Sequence, residues 1–269
     1  MKIGIIGYGS MGKMFLWTFY ETGVVAKEDL FVSNRTMEKL KEAESIAHIG
    51  TNREVAKASD IVFLCIRPGD IKMVLEEIRD DLAEDTLVVS LNGSVKFSLL
   101  EQVTKRKFAK VIPSVTAEIR CAQTLVCFND LVQEADREAL RPLLATMGDV
   151  VELPEQEMGM GSELASCMPG FIASIFDVIC TEAQKHTTIP REQIVDLVLR
   201  TMCGTGELML QKNMTFADVV TRVATPGGIT QEGTKVVYEH FPETIDELFV
   251  KTLEKRRLTA EKAEQNFRG

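Results

Sequence analysis

Residues 1–12 read MKIGIIGYGSMG, and residues 13–23 continue KMFLWTFYETG. Lys2–Ile6 is a short β-rich run, and the second segment spaces its apolar residues for a helix that stops at Gly23. Between them lies G-x-G-x-x-G, so the order is strand, glycine loop, helix. Each glycine then has a physical task. Gly7 makes the tight turn, Gly9 lets the backbone approach a pyrophosphate, and Gly12 lets helix and strand pack closely. Tyr8, Ser10 and Met11 complete the loop, and the helix start offers unpaired N–H groups and a positive dipole end to phosphate. The chain thus opens on a dinucleotide-binding unit.

The next strand, DLFVSN, ends near Ser33, about twenty residues after Gly12, where an NAD-binding domain usually places an acid for the ribose 2′-hydroxyl. Here the run is Ser33-Asn34-Arg35-Thr36, with a guanidinium and no carboxylate. A carboxylate would repel a 2′-phosphate, whereas Arg and hydroxyl groups accept it. NADP(H) is therefore favoured over NAD(H).

Further α/β alternation follows. DIVFLCIRPGD, TLVVSLNGS and AKVIPSV read as strands of a parallel sheet, stopped by Pro68, Asn92-Gly93 and Pro113. Their carboxyl ends place Ile66, Arg67, Pro68, Asn92, Gly93 and Ser114 in the loops where such a sheet binds ligands. TLVCFN and GDVVELP add late strands. The alternation stops near Pro154, which divides the chain into 1–154 and 155–269.

After Pro154 every segment reads as helix. PGFIASIFDVICTEAQKH starts with Pro169 in a first turn and buries Phe171, Ile172, Ile175, Phe176 and Ile179 on one stripe. PREQIVDLVLRTMCGTGELMLQKN is a second long helix, whose Gly204 and Gly206 permit close packing. TFADVVTRVA is a short helix capped by Thr215, and a long charged helix opens at PETIDELF. Helices this apolar in so small a domain imply a dimer interface.

Thr225-Pro226-Gly227-Gly228-Ile229-Thr230 interrupts this half. It is either an ordinary turn between helices or a nest, in which glycine N–H groups and flanking hydroxyls converge on a small anion such as a carboxylate. Turn chemistry alone supports both equally.

Composition narrows the classes. The chain has 269 residues, 45% hydrophobic and 26% charged, with a net charge of −9. The acidic balance argues against nucleic acid. No apolar run approaches about 18 residues, which argues against a membrane span, and no signal peptide is expected ahead of the glycine motif. Cys65, Cys121, Cys127, Cys167, Cys180 and Cys203 form no CxxC pair and read as reduced, mostly buried thiols of a cytoplasmic protein. His48, His186 and His240 lack metal-ligand spacing, so no metal is expected.

Taken in order, IGIIGYGSMG, VFLCIRP and ATPGGIT resemble the pyrroline-5-carboxylate reductase family along essentially the whole chain. The resemblance implies an N-terminal Rossmann domain followed by an all-helical domain that dimerises. It implies reduction of the C=N bond of 1-pyrroline-5-carboxylate to L-proline by NAD(P)H, hence proline biosynthesis. The carboxylate-binding roles fall on Thr225, Gly227, Gly228 and Thr230, with Thr230 also the candidate catalytic residue.

Departures from the family pattern lie at Ser114, where the family has asparagine, and at Met168, where it has glycine before the proline. Both belong to the substrate-pocket walls by this resemblance. Altered walls leave a related small imine, or a regulatory NADP-binding role, as alternatives. A β-hydroxyacid dehydrogenase also fits GYGSMG, but GMGSELASCMPG lacks the lysine that such chemistry needs for the alcohol proton.

Overall fold

The computed structural model describes Met1–Arg268, with side chains through Phe267; Gly269, the last residue assigned to the helical half, lies outside the described residues. The first half builds one eight-stranded sheet. Its strands are β1 (Ile3–Ile6), β2 (Leu30–Ser33), β3 (His48–Ile49), β4 (Ile61–Leu64), β5 (Leu87–Ser90), β6 (Lys107–Ile112), β7 (Ala122–Phe128) and β8 (Gly148–Glu152). They lie in the order β3-β2-β1-β4-β5-β6-β7-β8. β1, β4 and β5 are buried at every position, the continuous apolar reading of strands covered on both faces.

Helices α1 (Ser10–Glu21), α2 (Asn52–Ala58), α3 (Ile71–Ile78), α4 (Phe97–Val103) and α5 (Glu134–Ala145) cover that sheet. α1 is anchored by Phe15 and Phe19, whose ring centroids lie 5.2 and 5.5 Å from that of Phe63 on β4. This aromatic cluster holds the start of α1 at the end of β1.

The sheet differs from the sequence reading in two ways. β7 runs antiparallel to β6, so the sheet is mixed rather than wholly parallel. A short connection through a 3₁₀ turn at Val115–Ile119 is enough to reverse the chain, whereas a parallel crossover would need a dozen or more residues. β3 went unread because a two-residue strand carries no periodicity.

Two compact units emerge. One comprises Met1–Pro169 together with the chain from Leu253 onward, and the other spans Gly170–Thr252. Residues 155–169 thus pack with the sheet, beyond the point at Pro154 where the alternation stops. There α6 (Met158–Ser162) runs through a π-helical turn at Glu163–Cys167 into α7 (Met168–Ala183). Pro169 therefore does not start a helix as expected. The wider π turn just before it accommodates the missing N–H within a continuous helix.

That helix, Glu155–His186, has 32 residues and contains an 18-residue window of mean hydropathy 1.7, only 6% of it buried. This corrects the expectation that no apolar stretch approaches that length. Isolated polar residues interrupt the run to the eye without lowering its mean far.

The second unit also contains α8 (Arg191–Lys212), α9 (Phe216–Val223) and the start of α10 (Ile229–Arg268). Thr215 caps α9 as read, accepting from the N–H of Asp218 at 3.2 Å. Pro242 lies inside α10 instead of opening a separate helix. The stretch around it is exposed, so water can satisfy the carbonyl that its ring leaves without a donor. Within Gly170–Thr252 only Cys180 and Ile194 are buried.

The expected α7 stripe is correspondingly half-buried at Phe171, Ile172, Ile175 and Phe176, and Ile179 is exposed. Gly204 and Gly206 face open space in this single chain. All six cysteines are free, but only Cys127 and Cys180 are buried, whereas Cys121 and Cys203 are exposed.

Candidate functional site

Strand order reverses between β1 and β4, because β2 and β3 extend the sheet one way and β5 the other. A crevice opens at such a reversal, beyond the carboxyl ends of the strands. A cleft of about 530 Å³ lies there, lined among others by Gly7, Gly9, Ser33, Asn34, Arg35, Thr36, Ile66 and Arg67. These were all read from sequence as cofactor contacts. The cleft also takes in Lys39, Thr51, Asn52, Met73 and Glu77, which were not.

The glycine loop is shaped by contact distances. Gly7 has φ +100°, and a Cβ there would lie 2.5 Å from the Cys65 carbonyl oxygen. A Cβ on Gly12 would lie 1.9 Å from the carbonyl oxygen of Gly7. Gly9 has the opposite surroundings, with nothing within 4 Å of its Cβ position. Gly7 and Gly12 are thus glycines for the fold, and Gly9 leaves room for a ligand.

Among the described residues, the N–H groups of Gly9, Ser10, Met11 and Gly12 find no acceptor, and Lys13 is the first to bond back, to Gly9 O at 2.9 Å. Gly9 itself offers no side-chain cap. Free donors at a positive helix end, beside an open glycine, suit an anionic diphosphate.

The neighbouring polar residues divide by role. Asn34 braces the loop: its Oδ1 accepts from Tyr8 N–H at 3.0 Å, and its Nδ2 donates to Thr36 O at 2.9 Å. Ser33 is buried and donates to Asn52 Oδ1 at 2.7 Å, so its hydroxyl is committed inside the protein. Asn52 in turn donates to Glu77 at 2.8 Å. The signal for that stretch was legible, since Thr51-x-x-Glu54 forms a capping box at the start of α2. Arg35, Thr36 and Arg67 are exposed, and neither arginine has an ion-pair partner among the described residues.

Tyr8 is buried, its hydroxyl accepts from Trp17 Nε1 at 2.9 Å, and burial pushes its pKa up. Cys65, half-buried at the cleft, also has its thiol pKa raised by loss of solvation. Beside the glycine loop Lys13 and Glu42 pair at 2.8 Å, which raises the lysine and lowers the carboxylate.

The other expected residues stand apart from this cleft. Pro68 starts the 3₁₀ turn after Arg67. Asn92 accepts from Ser94 N–H at 3.0 Å, and Gly93 lies against Ile112. Ser114 is buried, with its Oγ accepting from Thr116 at 3.1 Å. Met168 is half-buried at the start of α7.

In the helical unit the Thr225–Thr230 segment is a tight turn into α10, with Gly227 at φ +72°. Gly227 N–H donates to Gln231 Oε1 at 2.8 Å and Gly228 N–H to Thr225 O at 2.9 Å. The glycine donors expected to form the nest are therefore engaged internally. Among the described residues the N–H groups without an acceptor here are those of Ile229 and Thr230, and the hydroxyls of Thr225 and Thr230 are exposed and make no hydrogen bond. The turn reading and an anion-binding helix start are compatible in this geometry. The donors have shifted by one or two residues.

Comparison with known proteins follows the same division. Residues 2–94 match the family described as NADP oxidoreductase coenzyme F420-dependent, and residues 155–258 match pyrroline-5-carboxylate reductase dimerisation. Pyrroline-5-carboxylate reductase 3 of Bacillus subtilis is 31% identical over 97% of this chain and 97% of that protein. The pyrroline-5-carboxylate reductase of Aquifex aeolicus is 26% identical over 96% and 97%.

Among solved structures, a pyrroline-5-carboxylate reductase from Coxiella burnetii superposes with TM-score 0.84 at 25% identity, covering 98% of each chain. The Plasmodium falciparum pyrroline carboxylate reductase, solved with NADP bound, gives 0.82 at 21% identity, over 99% and 98%. These likenesses do not favour the regulatory or β-hydroxyacid dehydrogenase alternatives.

Proposed function

The chain belongs to the pyrroline-5-carboxylate reductase family, and on that premise we propose that it reduces the C=N bond of 1-pyrroline-5-carboxylate with NADPH to give L-proline. The observation that carries this reading is the 31% identity over 97% of both chains. The open Gly9 and the unpaired N–H groups at the start of α1 fit a dinucleotide pyrophosphate. When bound, the cofactor supplies the hydride.

This chain's residues then bind and align. The Gly7–Gly12 backbone holds the pyrophosphate, while Arg35, Thr36 and Arg67 serve the 2′-phosphate end. Asn34 and Ser33 keep that wall in shape rather than touching the cofactor. Ile66, Pro68, Asn92 and Gly93 belong to the loops along the nicotinamide side, and Ser114 and Met168 to the substrate walls.

For the substrate carboxylate, the hydroxyls of Thr225 and Thr230 and the N–H groups of Ile229 and Thr230 are the available donors, and Gly227 and Gly228 supply the turn. A cyclic iminium is already electrophilic, so alignment of its carbon with the hydride donor carries most of the catalysis. Thr230, whose hydroxyl is uncommitted, is the candidate catalytic residue.

In this reading 1–154 is the cofactor domain and 155–269 the substrate and dimerisation domain. A helical unit with only Cys180 and Ile194 buried acquires its core from a second copy, which also accounts for the apolar, uncovered helix 155–186. Free thiols throughout suit a reducing cytoplasm.

The test mixes purified protein with NADPH and 1-pyrroline-5-carboxylate and follows loss of the reduced-nicotinamide absorbance. Consumption supports the proposal. No consumption, despite NADPH binding, overturns it. Because Met168 adds a thioether where the family has glycine, other small cyclic imines belong in the same assay, and turnover of those alone would reassign the substrate.

A further inference from the structure

The last turns of α10 return to the sheet unit and dock on it. Ala263 and Phe267 are buried in the same core cluster as Ile71, Val74 and Leu75 of α3. Lys72 Nζ donates to Phe267 O at 2.9 Å, which fixes the end of the helix beside the loop after β4.

Beside that anchor lies a second cleft of about 360 Å³, lined by Arg35, Arg67, Pro68, Gly69 and Asp70 on one side. The other side is Thr259, Lys262, Ala263 and Asn266, which recur at i, i+3, i+4 and i+7 and so share one helical face. A Cβ on Gly69 would lie 3.5 Å from Asn266 Nδ2, so the helix touches this loop directly.

The charge here is out of keeping with the rest of the molecule. In a chain of net charge −9, three cations, Arg35, Arg67 and Lys262, line one small cleft with a single carboxylate, Asp70. None of the three cations has an ion-pair partner among the described residues. Arg35, Arg67 and Asp70 also line the dinucleotide cleft, so the two clefts adjoin beyond the ends of β2 and β4. That is where the 2′-position of an adenosine ribose falls in a fold of this kind.

We infer that Lys262, with Asn266 and Thr259, is part of the 2′-phosphate site, so that the chain's final helix reads the difference between NADPH and NADH. The inference rests on the cofactor reading above and extends it to the last turns of α10, which belong to the same compact unit as the glycine loop although they lie far from it in sequence. Lys262 supplies a point charge, and Asn266 and Thr259 supply neutral donors that a doubly charged phosphate accepts.

The experiment uses the full chain and measures Kd for NADPH and NADH by calorimetry, for wild type, Lys262→Glu, Lys262→Arg and Arg35→Asp. Adenosine 2′,5′-bisphosphate and AMP serve as probes of the phosphate alone. Lys262 is exposed, so these substitutions leave the fold intact, and a thermal melt checks it. Lys262→Glu is expected to weaken NADPH and the bisphosphate about tenfold, to leave NADH and AMP unchanged, and to be rescued by Lys262→Arg.

Equal weakening of both members of a pair, or no change, overturns the inference. If Arg35→Asp abolishes the NADPH preference while Lys262→Glu leaves it whole, the inference falls and the cofactor reading stands. If wild type binds NADPH no better than NADH, both fall.

Discussion

Gly9 and Gly12 sit three residues apart in one loop, and alanine at each should fail in opposite ways. At Gly12 the added methyl lies 1.9 Å from the Gly7 carbonyl oxygen, more than an ångström short of contact. That oxygen belongs to backbone at φ +100°, and α1 is held down by Phe15 and Phe19 on Phe63, so neither side can give cheaply. Overpacking of this kind costs about 3 kcal/mol, a fall in Tm of roughly 6–12 °C.

At Gly9 the methyl meets nothing within 4 Å, and the backbone is extended at φ −88°, ψ −167°. Alanine there should leave stability unchanged or raise it by about 0.5 kcal/mol, through the unfolded chain. On the proposed reading, however, the methyl takes space that a pyrophosphate would use. Displacing the phosphate from two charge-assisted N–H bonds costs about 3 kcal/mol, more than a hundredfold in Kd. The assay pairs a thermal melt without ligand with a calorimetric titration of NADPH on each variant. Wild-type NADPH affinity in a folded Gly9→Ala protein would refute the assignment of this loop to phosphate.

Other outcomes follow from single contacts. Arg35→Asp should weaken NADPH and spare NADH in the same titration. Arg256 holds the buried Glu163 carboxylate at 2.7 Å, while Glu163 Oε2 has no hydrogen-bond partner among the described residues; Arg256→Ala should therefore cost about 3 kcal/mol in denaturant unfolding by leaving a buried charge unpaired. Thr51 N–H and hydroxyl hold the Glu54 carboxyl below its usual 4.5. The stabilisation is therefore present above that pH and lost as pH falls through the lower folded value, so the gap between Thr51→Ala and wild type should narrow from neutral pH to acid, and a remainder should persist because the Thr51 hydroxyl also caps the Glu54 N–H at 3.2 Å. Sedimentation equilibrium at micromolar concentration should return at least a dimer mass, and a monomer would remove the proposed source of the helical unit's core.

The βα opening was legible because its constraints are local. A strand, three glycines at fixed spacing and an amphipathic helix lie within residues 1–23, and each glycine's task follows from steric contact with its neighbours in the fold. The capping boxes at Thr51 and Thr215 are local in the same sense. The tertiary structure decided what depends on distant partners. Asn34 and Ser33 read as cofactor contacts in sequence and both line the cleft, but the bonds of their side chains to Tyr8, Thr36 and Asn52 depend on groups that only packing brings together. Gln231 takes the Gly227 donor because α10 starts there and points its side chain back. Lys262 could not have been found at all, since more than two hundred residues separate it from Arg35, and it is the burial of Ala263 and Phe267 against α3 that brings the helix to that cleft. Periodicity reports how a segment folds on itself, whereas a binding wall is built wherever separately folded segments are forced together by burying their apolar faces.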